Sequence, residues 1–413
     1  VPHVRLSNTA AFWLITVTTA AVLFCSAAPS PIYPVYQKLW GFSSFTLTVV
    51  FAVYVIALLG SLLTVGSISD YVGRRPVIMS ALLALIASMF IFIVADGVGL
   101  LVVARVVQGL ATGALLGTLS AAIFDLQPSE RSGATASGVG PGIGLALGVA
   151  ITGVLVEYAP APRVLIFAVT ITIFVVLLLF TIALPETSAV TGFKSRRHIL
   201  ATISPRISVP RSVRAVFLAS MPAIIATWSL AGLQLSLGSA VVENILNVHN
   251  RAAASLMLAT FFSSAAIASF ALAHTKPTTK LTVGYVGLLL GVFLSLPAYI
   301  EGSVPGYLLG VVVAGIGFGT LFSGVMGKIG AVTAPEDGSR VFSSLFIVSY
   351  IGFSLPALIA GLATVRFGLL STAIGYAAIV ILLTLVAIAA QLTVARRPST
   401  GVAPTPNDVV TPH

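Results

Sequence analysis

The feature that most restricts this chain is a succession of apolar runs, each roughly 20 residues long and recurring about twelve times from end to end. Coiled as a helix at about 1.5 Å per residue, a run of that length matches the hydrocarbon thickness of a bilayer. Inside hydrocarbon every backbone N–H and C=O needs a partner from the chain itself, which leaves helices and closed barrels. The runs are continuous and do not alternate with a period of two, so they read as helices. Composition agrees: 58% apolar residues and only 8% charged ones, with a mean hydropathy of +1.09, leave too little polar surface to coat a water-soluble globule of this size.

The spans are expected at about 10–28, 45–68, 77–95, 99–123, 133–157 and 163–184, and then at about 213–240, 252–274, 281–300, 304–329, 341–364 and 368–393. The only long polar connection separates the two sets. The expectation is therefore an all-α membrane protein: a six-helix half over 1–184, a cytoplasmic linker over 185–212, a second six-helix half over 213–393 and a disordered tail over 394–413.

Placing the N-terminus in the cytoplasm leaves Lys38, Arg163, Arg251 and Arg366 outside and puts every other basic residue except Arg105 on the cytoplasmic side. That asymmetry follows the positive-inside rule. The formal net charge of +10 then marks a face that meets anionic lipid headgroups and calls for no nucleic acid. The single cysteine, Cys25, excludes an intramolecular disulfide. The first span is followed by Pro29, Pro31 and Pro34 and then by further spans, without a cleavable signal pattern. The five histidines are scattered without metal-ligand spacing. No cofactor, metal site or enzyme signature is expected, and there is no phosphate-binding loop of the G-x-x-x-x-G-K-[ST] type. Uphill transport by such a chain would have to draw on an ion gradient.

Three stretches carry more than membrane insertion. Gly66 to Pro76 reads G-S-I-S-D-Y-V-G-R-R-P, concentrating Asp70, Arg74 and Arg75 in one turn. The fourth span contains A-R-V-V-Q-G-L-A-T-G, and helical spacing puts Arg105, Gln108 and Thr112 on one stripe beside a ridge of Gly109, Gly113 and Gly117. The fifth contains G-V-G-P-G-I-G, with Gly140, Gly144 and Gly148 at four-residue spacing and Pro141 inside. The chain also repeats itself. Gly109, Gly113 and Gly117 precede Pro128, Glu130 and Arg131, as Gly315, Gly319 and Ser323 precede Pro335, Glu336 and Arg340. Duplicated halves are the architecture of alternating-access carriers, with the substrate site near the midplane.

The turn G-x-x-x-D-x-x-G-R-R resembles the signature loop between helices two and three of the major facilitator superfamily. R-x-x-Q-G at Arg105–Gly109 is similar to the fourth-helix motif of the same family. The fifth span resembles the exporter motif G-x-x-x-G-P-x-x-G-G, with Gly140, Pro141 and Gly144 matching and Ala136 and Leu145 in place of the outer glycines. Pro185-Glu186-Thr187 resembles the flank of sugar porters and also reads as a helix stop. The resemblance implies a twelve-helix carrier of the drug:proton antiporter branch, monomeric, in a bacterial cytoplasmic membrane with both termini cytoplasmic. It would exchange a small apolar or amphipathic compound for protons. The alternatives are a proton-linked importer of a sugar or small metabolite and a non-transporting membrane sensor.

Candidate substrate or coupling residues are Arg105, Gln108, Thr112, Phe24, Tyr54, Glu157, Trp228, Gln234, Phe322, Phe346 and Tyr350. They interrupt otherwise aliphatic helices, and the Trp and Gln need hydrogen-bond partners that lipid lacks. Arg105 is expected either to line the cavity or to snorkel to the surface. No acid falls mid-span, so coupling is left to Asp70, Asp125, Glu157 or Glu243 near span ends, with Glu157 expected to approach Arg105. Conformational control is expected from Gly66, Asp70, Gly73, Arg74, Arg75, Arg131, Arg340, Gly140, Pro141 and Gly144. In that scheme Asp70 faces the N-terminus of the eleventh span near Gly338 to Arg340, and the small residues of the fifth span meet a helix of the other half.

Overall fold

The computed structural model describes residues 5–65, 68–188, 209–334 and 337–395, and every regular element among them is helical. The first half holds α1 (Asn8–Ala27), α2 (Tyr33–Trp40), α3 (Ser44–Val65), α4 (Ser69–Val72), α5 (Arg74–Val94), α6 (Val98–Leu126), α7 (Glu130–Tyr158) and α8 (Leu165–Thr181). The second holds α9 (Arg211–Ser236), α10 (Gly238–Asn244), α11 (Arg251–Ala271), α12 (Pro277–Glu301), α13 (Val304–Val332), α14 (Gly338–Phe367) and α15 (Leu369–Ala395). Among the described residues eleven segments are long and apolar enough to cross a membrane, and the 17-residue α8 completes the twelve expected spans. Most of the expected linker and the tail beyond Ala395 lie outside the described residues.

Helix ends follow local chemistry. Ser7, Asn250 and Ser303 cap α1, α11 and α13 by accepting from backbone N–H groups three residues on. Gly41 and Gly302 close α2 and α12 in the left-handed conformation. Three short helices were not expected from the sequence: α4, in the turn between the second and third spans, and α2 and α10, which occupy equivalent places after the first and the seventh spans; all are too short to cross a bilayer.

Within each half, glycine lets helix backbones touch. A Cβ at Gly109 or Gly113 of α6 would collide with the carbonyls of Tyr54 or Leu58 in α3. In the second half, Gly315 and Gly319 of α13 meet the carbonyls of Phe261 and Ala265 in α11. The fourth span thus seats on the second as the tenth seats on the eighth, so the sequence repeat is a repeat of packing.

The two halves meet through two antiparallel helix pairs. In one, α7 runs beside α11, with Gly142 against Ala266 and Gly153 against Ser255. In the other, α3 runs beside α14, with Gly361 against Thr48 and the rings of Phe51 and Phe353 5.0 Å apart. The expectation for the fifth span is corrected here. Gly144 packs onto the carbonyl of Ala20 in α1, within its own half, and the space beside Gly140 is open. Two residues along a helix is a turn of about 200°, so the Gly140–Gly144–Gly148 stripe and Gly142 face opposite ways. The residue beside Pro141 that touches the other half is therefore Gly142.

Because twelve spans is an even number, Asn8 at the start of the first and Ala395 at the end of the last lie on one face, here the terminal face; the other is the distal face. Gly113→Val should lower the unfolding temperature in detergent, by an overpacking cost of roughly 1–3 kcal/mol. Gly140→Ala should leave it unchanged, and a thermal melt of each purified variant checks both.

Candidate functional site

Arg105 lies two turns into α6 and is 1% exposed, the largest fully buried side chain of the described residues. Its guanidinium donates to the hydroxyl of Tyr33, to Gln108 Oε1 at 2.7 Å and to the carbonyl of Ser26 at 3.4 Å. Three rings surround it, Tyr33, Tyr54 and Phe92, with centroids 5.3, 5.1 and 5.7 Å from the guanidinium carbon. Gln108 donates in turn to the carbonyl of Cys25 at 2.9 Å, and Tyr54 to Ser26 Oγ at 2.7 Å. An arginine at helix centre costs about 2.5–3.5 kcal/mol on insertion scales. Hydrogen bonds to a charged group contribute about 1.5–3 kcal/mol each and cation–π contacts about 0.5–2. Three bonds and three rings are enough to hold the charge inside.

This geometry rules out snorkelling. No carboxylate pairs with Arg105 among the described residues. Glu157, expected nearby, is elsewhere. It accepts from Asn250 Nδ2 at 3.3 Å and from the backbone N–H of Arg251 at 3.0 Å, with the Arg251 guanidinium 4.0 Å away. The reason is that the start of α11, with its unpaired N–H groups, sits against the end of α7, and a carboxylate is favoured there.

The other predicted residues divide into groups. Trp228 of α9 is ringed by Phe318 and Phe322 of α13 and by Tyr350 and Phe353 of α14, with centroids 5.3–5.8 Å apart. Phe346 extends the group beside Tyr350. Through Phe353 and Phe51 the cluster reaches α3 of the first half, so it lies between the halves. Trp228 Nε1 is buried and meets no protein acceptor. Gln234, six residues on, faces a different way. It accepts from Tyr307 at 3.3 Å and lines a small cavity inside the second half with Ser295, Tyr299 and Tyr376. Phe24 belongs to the α1–α7 contact, its carbonyl under Gly148. Thr112 is buried one turn beyond Gln108.

At the terminal face the signature turn is tied into its own half. Gly73 takes a φ of 105°, a conformation that favours glycine, and so turns α4 into α5. Arg74 Nε donates to Asp125 Oδ2 at 2.6 Å. Glu186 accepts from the backbone N–H groups of Arg74 and Arg75 at 2.7 and 3.1 Å, and Thr187 donates to Asp125 at 2.9 Å. Glu186 therefore caps the N-terminus of α5 from the end of the half, a role that a helix-stop reading of Pro185–Thr187 misses. Gly66 and the side chains of Asp70 and Arg131 lie outside the described residues. Arg340, exposed, pairs with Asp337 at 3.6 Å in the first turn of α14.

On the distal face polar contacts join the halves: Ser30 Oγ donating to the carbonyl of Leu235 at 2.6 Å, and the Glu157, Tyr158, Asn250 and Arg251 group.

The profile of the Major Facilitator Superfamily matches residues 15–355. The chain belongs to that superfamily. No curated protein sequence matches this member. Among solved structures it is similar to the human organic anion transporter MFSD10, with a TM-score of 0.64 and 17% identity over 93% of this chain and 100% of that one. It is also similar to a mutant of the nucleoside transporter NupG, with a TM-score of 0.70 and 13% identity over 92% of this chain and 99% of that one. At such identities the likeness establishes the twelve-helix major facilitator fold.

Sequence reasoning missed Tyr33, Phe92, Phe318 and Phe353. Only Tyr33 had a local signal, the segment P-S-P-I-Y-P-V-Y after the first span, too rich in proline and tyrosine for a plain loop. A double-mutant cycle of Arg105→Lys and Tyr33→Phe, read by thermal unfolding, should give a coupling of about 1–3 kcal/mol, because an ammonium cannot reproduce the fork that holds Tyr33 and Gln108 together.

Proposed function

We propose that this protein is a secondary active exporter that moves small apolar or amphipathic compounds out of a bacterial cell by alternating access, in exchange for protons. The observation that carries the reading is the way the halves join, through two antiparallel helix pairs and through the bonds of Glu157 and Ser30 across the distal face. Two packed bodies joined in this way can rock about the pairs and expose a central site to either face in turn. The concentration of Lys and Arg on the terminal face supports placing it in the cytoplasm. The described arrangement is then the one closed to the outside. The ring cluster of Trp228, Phe322, Phe346 and Tyr350 between the halves is the substrate wall, an apolar surface with few polar anchors.

Coupling is assigned to Glu157. Of the candidate acids, Asp125 binds within its own half, whereas Glu157 bonds across the two halves. An ionised Glu157 holds the distal face closed, and a proton on it removes the charge that Asn250 and Arg251 engage. Proton occupancy and the separation of the halves are thereby linked.

Spin labels at the exposed positions Leu39 and Asn244, on opposite halves at the distal face, test this without knowledge of the substrate. Two distance populations are expected, with the longer one enlarged in Glu157→Gln, which removes the charge from the contact across the halves. A single distance would overturn alternating access, and a distribution unchanged by Glu157→Gln would overturn the role given to Glu157.

A further inference from the structure

We propose that the second half binds one exchangeable water molecule in the place that Arg105 and Gln108 fill in the first, and that this water anchors the end of α9 where the halves meet. A cavity, the sequence repeat and two buried polar groups without protein partners point to it.

The repeat sets the register. With Gly315 and Gly319 of α13 in the places of Gly109 and Gly113 of α6, Val311 stands at the position of Arg105 and Ala314 at that of Gln108. The neighbouring helix keeps step. Ser88 of α5 donates to the carbonyl of Ala104 at 2.8 Å, and Ser295 of α12 lies against Gly310, the counterpart of Ala104. One turn further on, Tyr299 stands where Phe92 packs beside Arg105. A valine and an alanine in place of an arginine and a glutamine leave room in the second half. A cavity of about 10 Å³ lies there, lined by Gln234, Ser295, Tyr299, Val311, Ala314 and Tyr376 among others.

The lining decides what the cavity takes. Gln234 and Tyr299 are buried, and while Gln234 Oε1 accepts from Tyr307, neither Gln234 Nε2 nor the Tyr299 hydroxyl has a protein partner among the described residues. Ser295 and Tyr376 give their protons to the carbonyls of Gly291 and Ser229 at 2.9 and 2.7 Å, so both can only accept a further bond. The lining thus offers two groups that donate and two that accept. A buried water needs roughly 10–15 Å³ and two to four polar partners, and both are met. An ion would be buried with no charged side chain in the lining to offset its lost hydration. An apolar guest would leave the amide and the phenol unsatisfied. The water ties Gln234 of α9 to Tyr299 of α12. Gln234 adjoins Leu235, whose carbonyl accepts from Ser30 of the first half, so the water fixes the end of α9 at a contact between the halves.

The test is X-ray radiolytic footprinting of the purified chain in lipid nanodiscs, in which a pulse splits ordered water and oxidises the side chains beside it. Tyr299 should be oxidised at a rate close to that of exposed Tyr158 although it is buried, whereas Tyr33, buried against Arg105, should be protected. Val311→Leu adds a methylene to the cavity and should suppress the oxidation of Tyr299. Tyr299→Phe should lower the unfolding temperature, because it takes a partner from a bound water; removing a hydroxyl that faces a dry cavity would raise that temperature or leave it unchanged. With labels at Leu39 and Asn244, Val311→Leu should enlarge the longer-distance population. Protection of Tyr299 equal to that of Tyr33, oxidation unaffected by Val311→Leu, or an unfolding temperature not lowered in Tyr299→Phe would each overturn the bound water, and unchanged label distances would overturn its anchoring role. The comparison of Tyr299 with Tyr33 needs no substitution, so a poorly folded variant does not decide the outcome. Footprinting reads the water whether or not the halves rock, which separates a failure of this proposal from a failure of alternating access.

Discussion

Everything in this molecule depends on how closely two helices can approach in a medium that gives no hydrophobic reward for association. Once each backbone is satisfied within its own helix, what remains is van der Waals contact, and contact requires small residues where axes cross. The carbonyls of Tyr54 and Leu58 sit where side chains at Gly109 and Gly113 would be, and those of Phe261 and Ala265 do the same at Gly315 and Gly319. The same joint is thus built twice, once in each half. Between the halves the joints use Gly142, Gly153 and Gly361. These contacts use helix faces distinct from those that build each half.

Against that background the few charges are rationed. At the terminal face Arg74, Asp125, Glu186 and the α5 N-terminus form one network inside the first half. At the distal face Glu157 binds the start of α11 across the halves. Both carboxylates engage the unpaired N–H groups of a helix start, so the same physics yields a brace in one place and a clasp in the other, according to which half owns the helix. Arg105 is the exception, a cation held by a phenol, an amide, a carbonyl and three ring faces. Its cost is offset within the first half, yet its charge is not neutralised by any described acid.

Some of this was legible in the residues. The helices begin and end within a few positions of the expected spans because apolar length and capping residues are local properties. The Arg105–Gln108 pair was legible for the same reason, being one turn apart on one helix. The errors share a cause. Gly140 and Gly144 were expected at the interface between halves and Glu157 beside Arg105; both required knowing which face of a helix meets which neighbour. Nearly uniform apolarity erases the moment that would reveal a buried face in a water-soluble protein.

By itself, then, the sequence determined that this chain is a bundle of twelve membrane-crossing helices in two related halves, since bilayer thickness and backbone hydrogen bonding leave no other solution for runs of this length. It also determined that a single arginine would have to be accommodated inside. Only the tertiary structure decided how: that Tyr33, delivered by an unexpected short helix, shares the charge with Tyr54 and Phe92, that Glu157 spans the two halves, and that the indole N–H of Trp228 is left pointing at no protein acceptor. Those outcomes depend on helix rotation and on contacts between residues far apart in the chain, which no local pattern of apolar and polar residues encodes.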